Sequence, residues 1–267
     1  MSAENYFPKR IVCLTEESVE MLYLLGKEHL IVGVSAFVKR PVAAQKLPIV
    51  TTFTHANNQK ILEVKPDLVL GFSDIQKEIA KELIAAGLNV FISNQRSIKE
   101  ILNYLLWLGC MVGEKEQALS LILKFEQRIE DCKKEAHTFL HKPKVYFEEW
   151  PDPMITSIGW VSEMIEICGG QNIFREKSKE SMAQGRIISE SEVLDKNPDI
   201  IFGCWCGKKV ELDSFAKRDA WEDINALKTN QVFELEPEVF LQPGPALFLD
   251  GLDILMNYFK QWQGVNK

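Results

Sequence analysis

Two cysteines, Cys204 and Cys206, stand two positions apart just after a predicted strand of this 267-residue chain. On extended backbone, residues i and i+2 point to the same side, so the two thiols can approach one another. A soft-metal or redox site there needs further ligands, which the sequence does not identify, and two packed thiols is the simpler reading. The four histidines, His29, His55, His137 and His141, do not cluster at ligand spacing. His137 and His141 are four apart and can share a helix face, which a solvated helix end also explains. No Walker A, Gly-x-Gly-x-x-Gly, Gly-x-Ser-x-Gly or His-Glu-x-x-His pattern occurs. The carboxylates fall in no recognisable acid–base pattern. The expectation is a protein that is not an enzyme, with no catalytic residue, no metal site and no cofactor of its own.

The aromatic residues are more informative. Phe37 follows the apolar run 31–34, and Phe53 sits in the polar loop 51–57. Trp150 follows the run 144–148, Trp205 follows 199–203, and Phe240 lies within 238–245. Each falls at the C-terminal end of a predicted strand or in the next loop, the rim where open α/β sheets bind ligands. Local packing can explain any one of them, but together they favour a flat, large, partly apolar ligand. Trp107 and Trp262 occupy apolar helix faces and read as core. Pro245 stands near the first position of the closing helix, as helix starts prefer. Exposed N–H groups there can meet an anionic or carbonyl group, with simple helix initiation as the alternative.

Such a rim requires a particular scaffold. Short apolar runs at 10–14, 31–34, 67–72 and 90–93 read as strands, and helical patterns fill 16–26, 77–86 and 98–111. That alternation implies βαβ units and a parallel sheet. Residues 114–137 contain no Gly or Pro. Ala118, Leu121, Ile122, Phe125, Ile129 and Cys132 mark one face of a helix there, and its length suits a bridge between lobes. Strands resume at 144–148, 199–203 and 231–235, with helices at 161–168 and 245–262. The segment 62–71 (Leu-Glu-Val-Lys-Pro-Asp-Leu-Val-Leu-Gly) is echoed by 194–203 (Leu-Asp-Lys-Asn-Pro-Asp-Ile-Ile-Phe-Gly). The expected fold is therefore α/β: an N-terminal lobe at 1–112, a bridging helix at 113–142 and a C-terminal lobe at 143–267. One long rigid helix would join two similar lobes, with a ligand cleft between them.

Composition agrees with such a binder. Lys and Arg number 31 and Asp and Glu 38, a net charge of −7, so the electrostatic footprint of a nucleic-acid binder is missing. No run of apolar residues is long enough to cross a membrane. The start lacks a basic segment followed by an apolar stretch. The six cysteines are scattered among apolar residues, which suits reduced thiols. A cytoplasmic protein is expected, or a periplasmic one if the native N-terminus was trimmed.

Several segments carry a resemblance. Arg10-Ile-Val-Cys-Leu-Thr-Glu-Glu-Ser18, Ile31-Val-Gly-Val-Ser35, Pro66-Asp-Leu-Val-Leu70 and Glu166-Ile-Cys-Gly-Gly-Gln-Asn-Ile-Phe174 resemble the helical-backbone, class III substrate-binding proteins of ABC importers. Members of that family carry vitamin B12, haem or ferric siderophores. The resemblance runs along nearly the whole chain and is strongest to the cobalamin-binding branch. The segments 148–155, 159–163, 205–209 and 241–246 resemble a leaderless subgroup of that branch.

The resemblance implies a non-enzymatic protein that binds a corrinoid between its lobes. Phe37 and Phe53 match the aromatics that sandwich the corrin edge. Glu238 matches an acidic contact, and Gln242 stands where the branch has an arginine. Met154 corresponds to an aromatic of the second lobe, for which Trp150 or Trp160 would compensate. Gln59 and Ser191 occupy the positions of the two glutamates that dock on the transporter's membrane subunits, with Glu190 and Glu192 flanking the second. A haem or siderophore ligand is the first alternative, for which Arg186, Lys208 and Lys209 are cationic candidates. A tetrapyrrole-handling enzyme is the second, with His55 as its candidate group.

Overall fold

The computed structural model describes residues 6–52 and 57–265. The chain divides into two compact units. The first comprises Met1–Gln95, Lys99–Phe125 and Gln242–Ala246, and the second comprises Arg96–Ile98, Glu126–Leu241 and Leu247–Lys267. Phe53 and His55 lie outside the described residues.

In the first unit strands and helices alternate: β1 (Ile11–Cys13), α1 (Glu16–Leu24), β2 (Ile31–Ser35), β3 (Ile49–Thr51), α2 (Asn58–Glu63), β4 (Leu68–Phe72), α3 (Lys77–Ala85), β5 (Val90–Ser93) and α4 (Ile98–Met111). The five strands are parallel, in the order β3-β2-β1-β4-β5. Apolar side chains of period two explain one face. Val12, Leu14 and Val69 pack on Val50, on Ile61 of α2 and on Ile79 and Leu83 of α3, and each such burial is worth about 1.5–3 kcal/mol. Chain order reverses between β1 and β4, where open α/β sheets gather ligands beyond their strand ends. Trp107, expected in the core, is 53% exposed on α4.

The helix α5 (Lys115–Ala136) has 22 residues and is about 33 Å long at 1.5 Å per residue. It packs closely on α4: a Cβ built on Gly109 would lie 2.3 Å from the Cβ of Ala118. Its residues through Phe125 belong to the first unit and those from Glu126 to the second. The helix is thus shared between the units and forms no third segment of its own.

The second unit repeats the plan with β6 (Lys144–Pro151), β7 (Met154–Thr156), α6 (Gly159–Ile167), β8 (Gln171–Asn172), α7 (Glu190–Lys196), β9 (Ile200–Gly203), α8 (Asn225–Lys228), β10 (Val232–Glu234), α9 (Pro237–Phe240) and α10 (Leu252–Val265). Its sheet runs β10-β9-β6-β7, with β8 also on β6. All its pairings are parallel except β6 with β7. The short strands β3, β7 and β8 have no counterpart in the sequence reading; each starts directly after a turn residue, Pro48, Pro153 or Gly170. The closing helix begins with a π-helical stretch, Leu247–Gly251. Arg128 of α5 donates to two carbonyls of that stretch, Phe248 O at 2.7 Å and Leu249 O at 3.2 Å, and pairs with Asp253 at 2.8 Å.

The repeated Pro-Asp segment does the same work in each unit. Asp67 accepts the backbone N–H groups of Lys9 at 2.7 Å and Arg10 at 3.0 Å, just ahead of β1. Asp199 accepts the N–H of Lys144 at 2.8 Å, where β6 begins. In both places the aspartate's own N–H donates back to that neighbouring strand, to Arg10 O at 2.9 Å and Lys144 O at 2.8 Å. Each aspartate thereby sets the register between its own strand and the central strand of its sheet. Replacing either by alanine should lower unfolding free energy by about 1–2 kcal/mol, since a charge-assisted hydrogen bond is lost in a partly solvated setting. Denaturant midpoints of Asp67→Ala and Asp199→Ala test this, and unchanged midpoints would contradict it.

Candidate ligand-binding site

At the C-terminal edge of the first sheet, the chain leaves β1 and enters α1 through Thr15. Three glutamates lie in the first turns of α1, where the helix dipole favours negative charge, and all three are buried. Glu16 Oε1 accepts the N–H of Lys39 at 2.8 Å and also that of Arg40. Glu20 Oε1 accepts from Arg40 Nε at 3.1 Å and Nη2 at 3.0 Å, and its Oε2 accepts the N–H of Ala246 at 2.9 Å. The loop after β2 is therefore held at Lys39 and Arg40, and that loop carries Phe37, which is 47% exposed. The segment Gln242–Ala246 is held to the same helix. A Cβ on Gly244 would come within 2.5 Å of the Glu17 Cβ and 2.9 Å of its Cα, so only glycine permits this approach.

Among the described residues no cation pairs with Glu17. Thr15 Oγ1 donates to its Oε1 at 2.5 Å, and its Oε2 has no hydrogen-bond partner. Burial pushes its carboxyl up from 4.5 to about 7, with the Thr15 hydrogen bond opposing the shift. Burial, reinforced by Glu17, also raises the Cys13 thiol and the Tyr104 hydroxyl, and Tyr104 instead shares a hydrogen bond with Ser18 at 2.7 Å.

The second unit's edge is organised by Glu148, fully buried near the end of β6. It receives a bidentate contact from Arg218 at 2.6 and 2.8 Å, the Tyr146 hydroxyl at 2.7 Å and the Trp205 indole N–H at 3.2 Å. The Arg218 guanidinium lies over Phe215 at 4.7 Å and Trp221 at 4.5 Å. Glu149 pairs with buried Arg186, which also donates to Thr156 O at 2.7 Å.

These contacts correct several expectations. Trp205 is 2% exposed and belongs to a core cluster with Tyr146, Phe215 and Trp221. β9 ends at Gly203, and the indole donates to Glu148 rather than facing outward. Met154 is buried in the same cluster. Phe240 is fully buried, and Trp160, also buried, donates its indole N–H to Phe240 O at 2.9 Å. None of these four side chains offers a face to a ligand. Cys204 is buried while Cys206 is exposed, because the backbone turns at 206–207 instead of continuing as a strand.

The remaining candidates are accessible. Trp150 is half-buried and donates to Asp152 O at 2.9 Å. Glu238 and Gln242 are half-buried, Glu238 in the second unit and Gln242 in the first. Lys208 and Lys209 are exposed, with Lys208 Nζ 5.1 Å from the Trp205 ring. Gln59 is exposed and donates to Glu63 at 2.9 Å. Ser191 is exposed and shares a hydrogen bond with Ser189 at 3.0 Å. Glu192 closes the capping box of α7 with Ser189, while Glu190 is exposed. Among the described residues no cluster of three or more His, Cys, Asp or Glu is placed to hold a metal. Glu16, Glu20 and Arg40, which organise the first edge, were not legible as site residues. The Thr-Glu-Glu-Ser run at the end of an apolar strand was the available signal.

Two α/β sheets of the same plan define a substrate-binding protein of the class III fold. The family model described as periplasmic binding protein matches residues 11–239, and the chain belongs to that family. An uncharacterized ABC transporter substrate-binding lipoprotein of Bacillus subtilis is 28% identical over 255 residues, covering 93% of this chain and 79% of the relative. The vitamin B12-binding protein of Vibrio cholerae is 28% identical over 264 residues, covering 97% and 91%. The solved periplasmic heme-binding protein of Roseiflexus has a TM-score of 0.82 at 21% identity, covering 94% of this chain and 98% of that one.

The Glu17 carboxyl makes a pH prediction. Its folded value lies above its unfolded one, so between about pH 4.5 and 7 the unfolded state releases a proton that the folded state retains. Stability therefore falls as pH rises through that window. Glu17→Gln should remove this slope while retaining the shape of the side chain. Denaturation of both proteins at pH 5 and pH 7.5 checks it; parallel losses in the two would count against the assignment.

Proposed function

We propose that this chain binds a corrinoid of the cobalamin type as a non-enzymatic substrate-binding component of transport. The observation that carries the reading is Phe37, a half-exposed aromatic on a loop that two buried glutamates hold in place. A ring kept in position before the ligand arrives loses little entropy on stacking. In this reading Phe37 and Phe53 stack on the macrocycle, and Gln242, of the same unit, contacts its periphery. The vitamin B12-binding relative, similar over nearly the whole of both chains, supports it.

Haem is the second reading, favoured by the fold shared with a heme-binding protein. Haem iron calls for an axial donor from the protein. His29 precedes β2 and His137 and His141 precede β6, while His55, which follows β3 in the chain, lies outside the described residues. A cobalamin brings its own axial base and makes no such demand. A ferric siderophore would seek cations, and Arg186 is already committed to Glu149. Delivery to membrane subunits follows the family role, and with Gln59 and Ser191 at the docking positions we expect weaker engagement than in glutamate-bearing members.

Titration with cyanocobalamin, cobinamide, haemin and a ferric siderophore, read by visible spectrum and thermal shift, tests the assignment. Corrinoids should bind, and Phe37→Ala should weaken them by about 1–3 kcal/mol, roughly 5–150-fold, with an unchanged melting temperature. Trp205→Ala should instead cost about 3–5 kcal/mol of fold stability, as core aromatics do. Binding of haemin with no corrinoid response would overturn the proposal.

A further inference from the structure

A cavity of about 170 Å3 opens beside β5, the last strand of the first sheet and three strands away from β2, whose loop carries Phe37. It is lined by Asn94 and Gln95, which follow the strand, and by Glu100, Asn103, Tyr104 and Trp107 of α4. Those four helical residues stand at i, i+3, i+4 and i+7, so one face of α4 presents them all. Tyr104 is fixed in place. Its ring is buried and nearly parallel to that of Phe91, with 6.3 Å between centroids, and its hydroxyl shares a hydrogen bond with Ser18. Gln95 is buried as well, while Asn94 and Asn103 are exposed. Trp107, 53% exposed, leaves much of its indole in water at this cavity. Among the described residues none hydrogen-bonds the Asn94 amide, the Asn103 amide or the Trp107 indole N–H.

We propose that this cavity binds a neutral pyranose sugar, its ring stacked on Trp107 and its hydroxyls hydrogen-bonded by Asn94 and Asn103. Size sets the first condition. At about 30 Å3 per water the space takes roughly six waters, the scale of a single sugar ring. Pockets for drug-sized ligands run to roughly 300–1,000 Å3, so a macrocycle does not fit. A pyranose has a face of C–H groups and a rim of hydroxyls. The C–H face is apolar and suits the flat indole, whose contact with water it would end. Each hydroxyl is both donor and acceptor, and each asparagine amide offers one carbonyl and two N–H groups. Two such amides can serve neighbouring hydroxyls in both senses.

Charge narrows the class further. Among the described residues no Lys, Arg or His lines the cavity, and Glu100 stands at it. A phosphate or carboxylate would therefore meet a negative neighbour with no cation to offset it. A purely aromatic ligand would use Trp107 but would strip water from Asn94 and Asn103 without giving them partners, which costs free energy. A neutral sugar satisfies both the ring and the amides. The cavity shares no residue with the proposed corrinoid contacts, so this assignment does not depend on that reading. The ring can be a free monosaccharide or the terminal unit of a glycan; the chemistry of recognition is the same.

The full-length protein, isotope-labelled at its indole nitrogens, is titrated in an NMR experiment with glucose, galactose, mannose and N-acetylglucosamine, with maltotriose and chitotriose as chain ends, and with nicotinamide as a neutral aromatic control. The Trp107 signal is identified by its absence from Trp107→Phe. At least one sugar should shift that signal saturably at millimolar concentration, while the signals of the buried Trp160, Trp205 and Trp221 stay in place. Saturation by a monosaccharide assigns a free sugar, and saturation by trisaccharides alone assigns a chain end. Trp107→Ala, checked for folding by circular dichroism, should weaken binding about tenfold when read by saturation transfer to the sugar, and Asn103→Leu should weaken it several-fold. The proposal is overturned if no sugar shifts the wild-type Trp107 signal, if nicotinamide shifts it and the sugars do not, or if Trp107→Ala binds sugar as the wild type does.

Discussion

A carboxylate removed from water must find donors, or it holds its proton. That constraint shapes the C-terminal edges of both sheets. In the second unit Glu148 draws in Arg218, Tyr146 and Trp205. Arg218 in turn brings Phe215 and Trp221 against its faces. In the first unit Glu16 and Glu20 take backbone N–H groups and the Arg40 guanidinium, and so position the loop bearing Phe37 and the segment Gln242–Ala246. Glu17 is the exception, and its carboxyl is pushed towards neutrality.

In the proposed reading, the first edge shows how a binding residue is held by residues that never touch the ligand. Phe37 alone is an exposed aromatic, and many such residues are incidental. The chain from α1 through Glu16 to the N–H groups of Lys39 and Arg40 is what keeps it in one place. Family membership agrees with this reading, but the family spans several ligand classes. The choice among them falls on side chains at the loop tips, where the chain is least constrained by the scaffold.

Periodicity exposed most of the scaffold. The helix at 98–111 appears with the same limits, and the uninterrupted helical period at 114–137 becomes α5 at 115–136. The Pro-Asp repeat marked the strands that become β4 and β9, and its physical basis is a carboxylate tied to the adjacent strand. The site was less legible. Strand ends locate a rim, but they do not say which side of the rim an aromatic takes. Trp205 and Phe240 are at the expected places in the chain and yet turn inward. Trp107 sits on an apolar helix and yet turns outward.

By itself the sequence determined what depends on near neighbours: the βα alternation, the long helix, the repeated strand unit and the family. Backbone periods and turn residues act over a few positions, so they can be read along the chain. Only the tertiary structure decided what depends on distant partners. Ala246 meets Glu20 across 226 positions, Arg218 meets Glu148 across 70, and Arg40 meets Glu20 across 20. The return of Gln242–Ala246 to the first unit is of the same kind. Which buried charge finds which donor is set by packing in three dimensions, and no local pattern records it.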